Sequence, residues 1–313
     1  MRYPIIFDTD PGVDDAQAIA IAMAHPDIEL LGLTTTFGNV DVATATHNAL
    51  LLCELAGQNI PVARGAAVPL VKKKHPAPAH IHGTNGLGNI ALPDVRGDAM
   101  PQSAAQFIVD TVNARPGAVT LVAVGPLGNL AAALQLDPEI ISKVKQVVIM
   151  GGSIKEGGNV TPVAEANIFN DPHAAAHALT AGWPLTMVGL DATHRCTLKP
   201  HDMEAIATGQ GRLGAVLADS YAFYRAFYQQ TMGFDGCCPH DSCALAWLLC
   251  SELFTTARGH LTVVTEGDAE GQTIFAPEAR PFIDTRWTRT PSVDVCLDAD
   301  GPAIVDWIVS TLH

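Results

Sequence analysis

Four aspartates lie within eight residues near the start of the chain: Asp8, Asp10, Asp14 and Asp15. They directly follow an apolar stretch with strand character, and open α/β sheets bind their ligands beyond the carboxyl ends of the strands. The intervening Pro11-Gly12 predicts a tight turn, which places Asp14 and Asp15 in the first turn of a helix, where the dipole stabilises anions. Consecutive helical residues point about 100° apart, so these two carboxylates can serve different ligands.

The density of negative charge in this run predicts a bound cation. Capping a helix needs only one such residue, and four carboxylates packed together repel one another unless a positive ion neutralises them. Oxygen-only donors favour a hard ion, Ca²⁺ or Mg²⁺, because no set of Cys and His with zinc spacing accompanies them. The spacing does not match the calcium loop of an EF-hand.

A second polar constellation, His240 and Asp241, precedes an apolar helix. An acid beside a histidine at a helix start can simply cap the helix, and in isolation the pattern favours that interpretation. Cys237, Cys238 and Cys243 raise the alternative of a zinc site, but without a second pair of ligands, small buried thiols are the better interpretation.

Amide and carboxylate side chains also follow the strand that ends near Met150, at Asn159, Glu165 and Asn167. Such groups both donate to and accept from hydroxyl groups, so this segment is a candidate for binding a polyhydroxylated ligand. Taken alone, it is better explained as ordinary loop polarity.

The sequence argues against several classes of ligand. The glycine-rich turns at 37–39 and 125–129 match neither a Walker A loop nor a dinucleotide fingerprint, which disfavours nucleotide phosphates and NAD. With 18 Lys+Arg against 32 Asp+Glu, the formal charge of −14 disfavours a nucleic acid polymer or an anionic membrane. The basic cluster Lys72–Lys74 is interpreted as a solvated loop.

The hydrophobic pattern predicts the scaffold that positions these residues. Apolar runs rich in Ile and Val alternate with helical patterns, which indicates βαβ units around a buried parallel sheet. The predicted strands are Tyr3–Phe7, Ile28–Thr36, Ile60–Ala63, Val119–Val124, Val144–Met150, Leu185–Leu190, Leu261–Thr265 and Val293–Leu297. The predicted helices are Asp14–Ala24, Val42–Ala56, Ser103–Asn113, Leu127–Leu136, Pro172–Ala181 and Ala303–Leu312, with a mainly helical stretch over Leu198–Leu253.

These elements predict a doubly wound α/β fold, a Rossmann-like open sheet that is mostly parallel and carries helical insertions. We expect a single domain over residues 1–313, because no linker or repeat marks a boundary. Two long loops, Arg64–Met100 and Gly151–Asn170, are expected to be functional or mobile.

Composition predicts a soluble globular protein of the cytoplasm. The chain is 48% hydrophobic with a mean hydropathy of +0.21, yet no segment approaches the roughly 18 consecutive apolar residues of a membrane span. No secretory signal is recognisable before Asp8. Seven unevenly scattered cysteines without a Cys-x-x-Cys pair indicate reduced thiols.

Several segments together resemble the inosine–uridine-preferring nucleoside hydrolase family, in its non-specific ribonucleoside hydrolase branch. They run in the family's order across nearly the whole chain, and the run at residues 7–15 is highly specific. The matching segments are FDTDPGVDD (7–15), TTTFGNV (34–40), HG (82–83), LVAVGPLGN (121–129), VIMGGS (148–153), GNVTPVAEANI (158–168) and HD (240–241).

The resemblance implies the nucleoside hydrolase fold, a ribonucleoside substrate and one Ca²⁺ held by Asp10, Asp15, Asp241 and the backbone carbonyl of Val124. The ion would lower the pKa of a bound water, and Asp10 would accept its proton as general base. Hydroxide would then attack C1′ as the N-glycosidic bond breaks through an oxocarbenium-like state. The dense negative charge would stabilise that cation.

The resemblance also assigns substrate contacts. Asp14 would bind the 2′-hydroxyl, and Asn39, Met150, Asn159, Glu165 and Asn167 the rest of the ribose. His240 is the candidate general acid for the leaving base, since a neutral histidine near pH 7 carries a transferable proton.

On the base side, His82 would lie beside the base or the ribose, and Tyr224 and Tyr228 resemble base-contacting tyrosines. Aromatic core packing remains open for both tyrosines. The chain departs from the family pattern at Thr84-Asn85, where Glu-Ser is usual, and at Ala166, where an aromatic is usual, so base preference is not fixed.

Family members form homo-oligomers, so a tetramer or dimer is expected. Gly271–Thr290 fits the family poorly. Two alternatives remain: a haloacid-dehalogenase-type magnesium phosphatase, in which Asp8 would attack phosphorus, and a calcium-dependent nucleoside-binding protein without turnover.

Overall fold

A nine-stranded sheet organises residues 2–313, the part of the chain that the computed structural model describes. Its strands are β1 (Tyr3–Thr9), β2 (Ile28–Thr35), β3 (Val62–Arg64), β4 (Thr120–Ala123), β5 (Gln146–Met150), β6 (Leu185–Val188), β7 (Phe254–Val263), β8 (Thr273–Pro277) and β9 (Ser292–Ala299). Their order is β3-β2-β1-β4-β5-β6-β9-β7-β8. All neighbours pair in parallel except β9-β7 and β7-β8, which are antiparallel.

Thirteen α-helices accompany the sheet within residues 2–313. They are α1 (Val13–Ala24), α2 (Val42–Leu55), α3 (Ala79–His82), α4 (Ala104–Ala114), α5 (Gly128–Leu136), α6 (Ile140–Lys143), α7 (Ala166–Asn170), α8 (Pro172–Leu179), α9 (Leu190–Thr193), α10 (Pro200–Gly209), α11 (Gly211–Thr231), α12 (His240–Leu249) and α13 (Gly301–Leu312). Short 3-10 turns occur at Ser251–Leu253 and Thr285–Thr288. None of the helices in the described range is both long and apolar enough to cross a membrane.

Buried side chains form a core on each face of the sheet, as a doubly wound fold requires. Ile5 and Phe7 of β1 belong to the cluster that packs against α1, α12 and α13, whereas Ile6 belongs to the cluster on the opposite face. β4 alternates in the same way, with Leu121 and Val122 in different clusters. Strands buried on both faces explain the continuous apolar runs in the sequence.

The predicted α/β fold with a mostly parallel sheet is confirmed, with local corrections. The strand predicted to reach Leu190 ends at Val188, because α9 begins at Leu190. Strand β8 was not predicted; it lies within the segment that fits the family poorly and pairs only with β7 at the sheet edge. The two predicted long loops contain the short helices α3 and α7.

Candidate active site

The N-terminal aspartates lie where the strand order of the sheet reverses. β1 pairs with β2 on one side and with β4 on the other, so the crevice beyond the ends of β1 and β4 is a topological switch point. Asp10 directly follows β1, and Asp14 and Asp15 occupy the first turn of α1, as predicted. Helix α12 packs against α1 and begins at His240, which brings Asp241 to the same crevice.

Three carboxylates converge in this crevice. Asp14, Asp15 and Asp241 each place an oxygen within 4.8 Å of the others, and all three residues are buried. Asp10 is not in this group but adjoins it through Asn39. The Asn39 backbone N–H donates to Asp10 Oδ2 at 2.6 Å, and its side-chain amide donates to Asp15 Oδ2 at 2.9 Å.

Two glycines allow the backbone to approach Asp10 closely. A Cβ atom on Gly38 would lie 1.9 Å from Asp10 Oδ2, and one on Gly125 would lie 2.5 Å from Asp10 Oδ1. These glycines belong to the two glycine-rich turns of the sequence. The turns therefore surround a carboxylate, which is why they lack the pattern of a phosphate-binding loop.

Asp10, Asp14 and Asp241 are costly to ionise. Burial, and then repulsion from Asp15, raises the pKa of Asp10 well above its ordinary value and that of Asp14 to about 8. Burial and repulsion from Asp14 likewise raise the pKa of Asp241. Oδ1 of Asp10 and Oδ1 of Asp14 are buried without a hydrogen-bond partner. Unpartnered acceptor oxygens in a concentrated negative field fit a divalent metal ion.

Asp8 lies beneath this cluster and supports the strand ends. Its Oδ2 accepts hydrogen bonds from Thr34 Oγ1 at 2.5 Å and from Asn129 Nδ2 at 2.7 Å. The side chain is 2% exposed, and burial raises its pKa to about 7. These contacts give Asp8 a structural role in joining β1 to β2 and to helix α5.

A chain of hydrogen bonds connects the cluster to His240. Tyr224 Oη donates to Asp14 Oδ2 at 3.2 Å and lies 3.4 Å from Tyr228 Oη. Tyr228 Oη lies 2.7 Å from His240 Nε2, and His240 Nδ1 lies 2.7 Å from Thr193 Oγ1. The two tyrosine hydroxyls thus belong to the site, although their rings also pack in the core.

The positions of the protons in this row of hydrogen bonds follow from the number of donors. Because the Tyr224 hydroxyl proton is given to Asp14, Tyr228 must donate to Tyr224. His240 Nε2–H then donates to Tyr228, and Thr193 donates to His240 Nδ1. This assignment satisfies every contact with one proton each.

The surroundings of His240 disfavour the charged form of its ring. Burial, followed by repulsion from His194 and His82, lowers the pKa of His240 to about 3. The imidazole is therefore neutral at pH 7, with a single proton on its ring.

His82 is a second histidine in contact with Tyr224. The two rings stack with their centroids 5.2 Å apart, and His82 Nδ1 accepts a hydrogen bond from the Val13 backbone at 3.2 Å. Nδ1 lies 3.9 Å from Asp14 Oδ1. Burial lowers the pKa of His82 to about 3, so its one proton is on Nε2.

Asn167 connects the loop after β5 to the switch point. Its side-chain amide donates to the backbone carbonyl of Val124 at 2.8 Å and to that of Met150 at 3.2 Å. Glu165 caps α7 and accepts from the backbone N–H of Asn167 at 2.9 Å. Asn159 is exposed, and its side-chain oxygen accepts from the Ala166 backbone at 3.0 Å. The residues predicted to bind ribose thus also stabilise the loop that carries them.

The unusual residues Thr84 and Asn85 have a local structural role. Asn85 Oδ1 accepts from the backbone of Leu87 and Asn89, each at 2.9 Å, and Thr84 donates to Asn89 Oδ1. These bonds hold the turn that follows His82.

Sequence reasoning missed two residues that support the site. Thr193 bonds His240 from 47 positions away, and no local pattern marks it. Asn129 bonds Asp8 and the Thr35 carbonyl; it closes a glycine-rich turn that the sequence does single out. All seven cysteines are free, and the three near His240 are buried, as expected for core thiols.

A family model described as inosine-uridine preferring nucleoside hydrolase matches residues 5–306. The chain belongs to this family. It is 38% identical over 312 residues to the non-specific ribonucleoside hydrolase RihC of Escherichia coli (strain SMS-3-5 / SECEC), covering 100% of this chain and 99% of the relative. It is 37% identical over 310 residues to uridine nucleosidase 1 of Arabidopsis thaliana, covering 98% and 92%.

A solved structure, described as the plant nucleoside hydrolase PpNRh1, superposes on this nucleoside hydrolase with a TM-score of 0.96. The two are 35% identical, and the alignment covers 100% of this chain and 99% of the other. The resemblance, the fold and the enzyme class predicted from the sequence are confirmed. This nucleoside hydrolase acts on ribonucleosides, which it splits into ribose and free base.

Proposed function

We propose that this enzyme hydrolyses the N-glycosidic bond of ribonucleosides with Asp10 as general base and His240 as the proton source for the leaving base. One observation carries the proposal: the carboxylate cluster and His240 lie in one buried crevice and are joined by a continuous hydrogen-bond chain through Tyr224 and Tyr228. A site for binding alone would need no such proton path.

The proposed metal ion is Ca²⁺, held by Asp10, Asp15, Asp241 and the carbonyl oxygen of Val124. The oxygen-only donor set and the unpartnered Oδ1 of Asp10 support this choice of a hard cation. When bound, such an ion would lower the pKa of a water molecule. A carboxylate oxygen of Asp14 lies within 4.8 Å of oxygens of Asp15 and Asp241. Asp14 is therefore placed to bind a substrate hydroxyl at the edge of the ion site.

Asp10 is proposed to serve both as a ligand of the ion and as the base that accepts a proton from the attacking water. Its Oδ2 is engaged by the Asn39 backbone, whereas Oδ1 has no hydrogen-bond partner. Burial and the neighbouring carboxylates raise the pKa of Asp10, and a bound cation would offset that shift and keep the carboxylate ionised, as a base must be. The charges of the cluster would also stabilise the positive charge that develops on the sugar as the bond breaks.

Protonation of the leaving base is proposed to run through Tyr228 and Tyr224. A pKa of about 3 makes the His240 imidazolium a strong acid but a scarce one at pH 7. His240 is therefore proposed to take up a proton from solvent only transiently. Tyr224 would protonate the base, Tyr228 would reprotonate Tyr224, and the His240 imidazolium would reprotonate Tyr228 and return to the neutral ring. His82, stacked on Tyr224, would contact the base or the ribose.

Ribose recognition is assigned to Asp14, Asn39 and the loop after β5. Asn39 bridges Asp10 and Asp15, and Asn167 lies against the carbonyls of Val124 and Met150. The same loop supplies Asn159 and Glu165, with Glu165 holding its backbone. The ribose would thus be the fixed part of the substrate.

A panel of nucleosides tests the proposal. Purified protein with Ca²⁺ should release free base and reducing sugar from inosine or uridine, and exhaustive chelation should abolish this release. His240→Ala should slow inosine hydrolysis strongly but spare 4-nitrophenyl riboside, whose phenolate leaves without a proton. Equal losses on both substrates would remove His240 from the role of acid, and nucleoside binding without any release would favour the binding-protein alternative.

The cytoplasmic location and the homo-oligomeric state, tetramer or dimer, remain predictions. Free cysteines throughout the described residues support a reducing compartment. Size-exclusion chromatography with light scattering would determine the oligomeric state.

A further inference from the structure

Lys72 lies where three separate segments of the chain meet. We propose that Lys72 is a positioning residue that holds the C-terminal end of α7 and thereby fixes Glu165 and Asn167 for ribose binding. The inference rests on the proposed function, because it takes the ribose contacts of these two residues as given.

Lys72 makes three contacts through its ammonium group. Nζ donates to the backbone carbonyl of Phe169 at 2.9 Å, lies 3.9 Å from the centroid of the Phe169 ring and pairs with Glu270 Oε1 at 2.6 Å. The Lys72 side chain is 13% exposed and that of Glu270 is 28% exposed. A partly buried charge with three partners is more strongly localised than a lysine on a solvated loop. The interpretation of Lys72–Lys74 as a solvated loop is therefore wrong for Lys72.

The contacts matter because α7 is a single short turn that follows Glu165 and contains Asn167, the two residues assigned to ribose binding. Glu165 begins the turn as its cap, and Phe169 is one residue from its end. So short a helix has few internal hydrogen bonds, and its geometry depends on what its ends contact. Moving the Phe169 carbonyl would shift Asn167, which lies two residues earlier and bonds Val124.

Neighbouring residues tie the same segments together. The Leu70 backbone donates to Asp171 Oδ2 at 2.9 Å, and the His75 ring stacks on Phe169 with centroids 5.2 Å apart. On the other side, the turn between β7 and β8 packs so closely that a Cβ on Gly271 would lie 2.8 Å from Phe169 Cα. Lys72 and Glu270 link these two supports across Phe169.

This arrangement assigns a structural role to the start of Gly271–Thr290, the segment that fits the family poorly. Gln272 forms an isolated β-bridge with Ala164, directly before Glu165. The β7–β8 turn therefore contacts the loop after β5 on both sides of Glu165 and Asn167. Lys72 is the charged side chain that joins this turn to the long loop after β3.

The matched pair Lys72→Met and Lys73→Met tests the proposal, because Lys73 is the exposed neighbour. Lys72→Met keeps the apolar stem and removes the ammonium group. We expect it to raise KM for inosine and uridine roughly tenfold with kcat changed less than about threefold, since misplacing binding groups acts first on ground-state contacts. Lys73→Met should match the wild type. Glu270→Gln should raise KM in the same direction by less.

A second measurement separates positioning from general loss of structure. Thermal unfolding of each variant reports folding. In an Asn167→Ala background, Lys72→Met should raise KM clearly less than tenfold, because one of the two binding groups that it misplaces is already absent. An unchanged KM in Lys72→Met, or a full tenfold effect in the Asn167→Ala background, would overturn the proposal. If the wild type releases no ribose from any nucleoside, both the proposed function and this inference fail. If the wild type is active and Lys72→Met leaves KM unchanged, only this inference fails.

Discussion

Asp10→Asn should separate the two properties that the carboxylate cluster combines. Asparagine has the shape of aspartate, and its side-chain oxygen can accept the Asn39 backbone hydrogen bond that Asp10 Oδ2 accepts. Its amide then takes the place of Oδ1, which is buried and unpartnered. The substitution therefore changes the charge and the basic lone pair while the shape stays the same.

The magnitudes follow from these contacts. Loss of a general base costs about 10²- to 10⁴-fold in kcat. In the presence of a chelator the variant should nevertheless be more stable than the wild type, because burial and the neighbouring aspartates raise the pKa of Asp10 well above its ordinary value. The asparagine has no carboxyl group to protonate on folding, so at pH 7 the variant is free of the destabilisation that this raised pKa causes in the wild type. Ca²⁺ should reverse the order, since only the wild type contributes a full ligand set.

Urea unfolding with and without Ca²⁺, together with nucleoside hydrolysis, measures both effects. Asp306→Asn on the exposed face of α13 is the matched control and should change neither. Activity in Asp10→Asn within tenfold of the wild type would refute Asp10 as the base. A variant less stable than the wild type in chelator would refute the account of the cluster as a site of unrelieved repulsion.

Three further outcomes test the remaining contacts. Tyr228→Phe removes the hydroxyl between His240 and Tyr224, so it should lower the rate of inosine hydrolysis about 10²-fold and leave the rate on 4-nitrophenyl riboside unchanged. Equal rates on inosine in variant and wild type would contradict the proton path. The folded-state pKa of Asp8, about 7 against an ordinary 3.8, means that Asp8 contributes a fall in stability in chelator of at most about 4 kcal/mol as pH rises from about 4 to about 7. Asp14, whose pKa is also raised, adds to this fall, so Asp8→Asn should make the fall shallower in urea titrations; parallel pH curves would count against Asp8 as a source. Chelation of the wild type should lower its melting temperature reversibly. An ion present at 100 times its dissociation constant contributes about 2.7 kcal/mol to the free energy of unfolding, and chelation removes this contribution. An unchanged melting curve would argue against a bound ion.

The aspartate run could be interpreted without a structure because its chemistry is local. Four acids in eight residues after a strand require a neutralising partner wherever the chain places them, and α/β topology places them at a sheet edge. His240 and Tyr228 were recognisable as site residues only through the family resemblance. Their hydrogen bond depends on helices α11 and α12 packing together, and no local pattern encodes that contact.

Local pattern determined the alternation of strands and helices, the residue types available for chemistry and the excess of acid that calls for a cation. These properties depend on neighbouring residues and on composition, which the sequence states directly. Tertiary structure decided which groups meet and in what environment. It lowered the pKa of His240 by burial, directed the free oxygen of Asp10 towards Gly125 and set Lys72 against Phe169 across nearly a hundred residues of chain. Desolvation and long-range contact exist only once distant segments pack, so they could not be derived from the sequence alone.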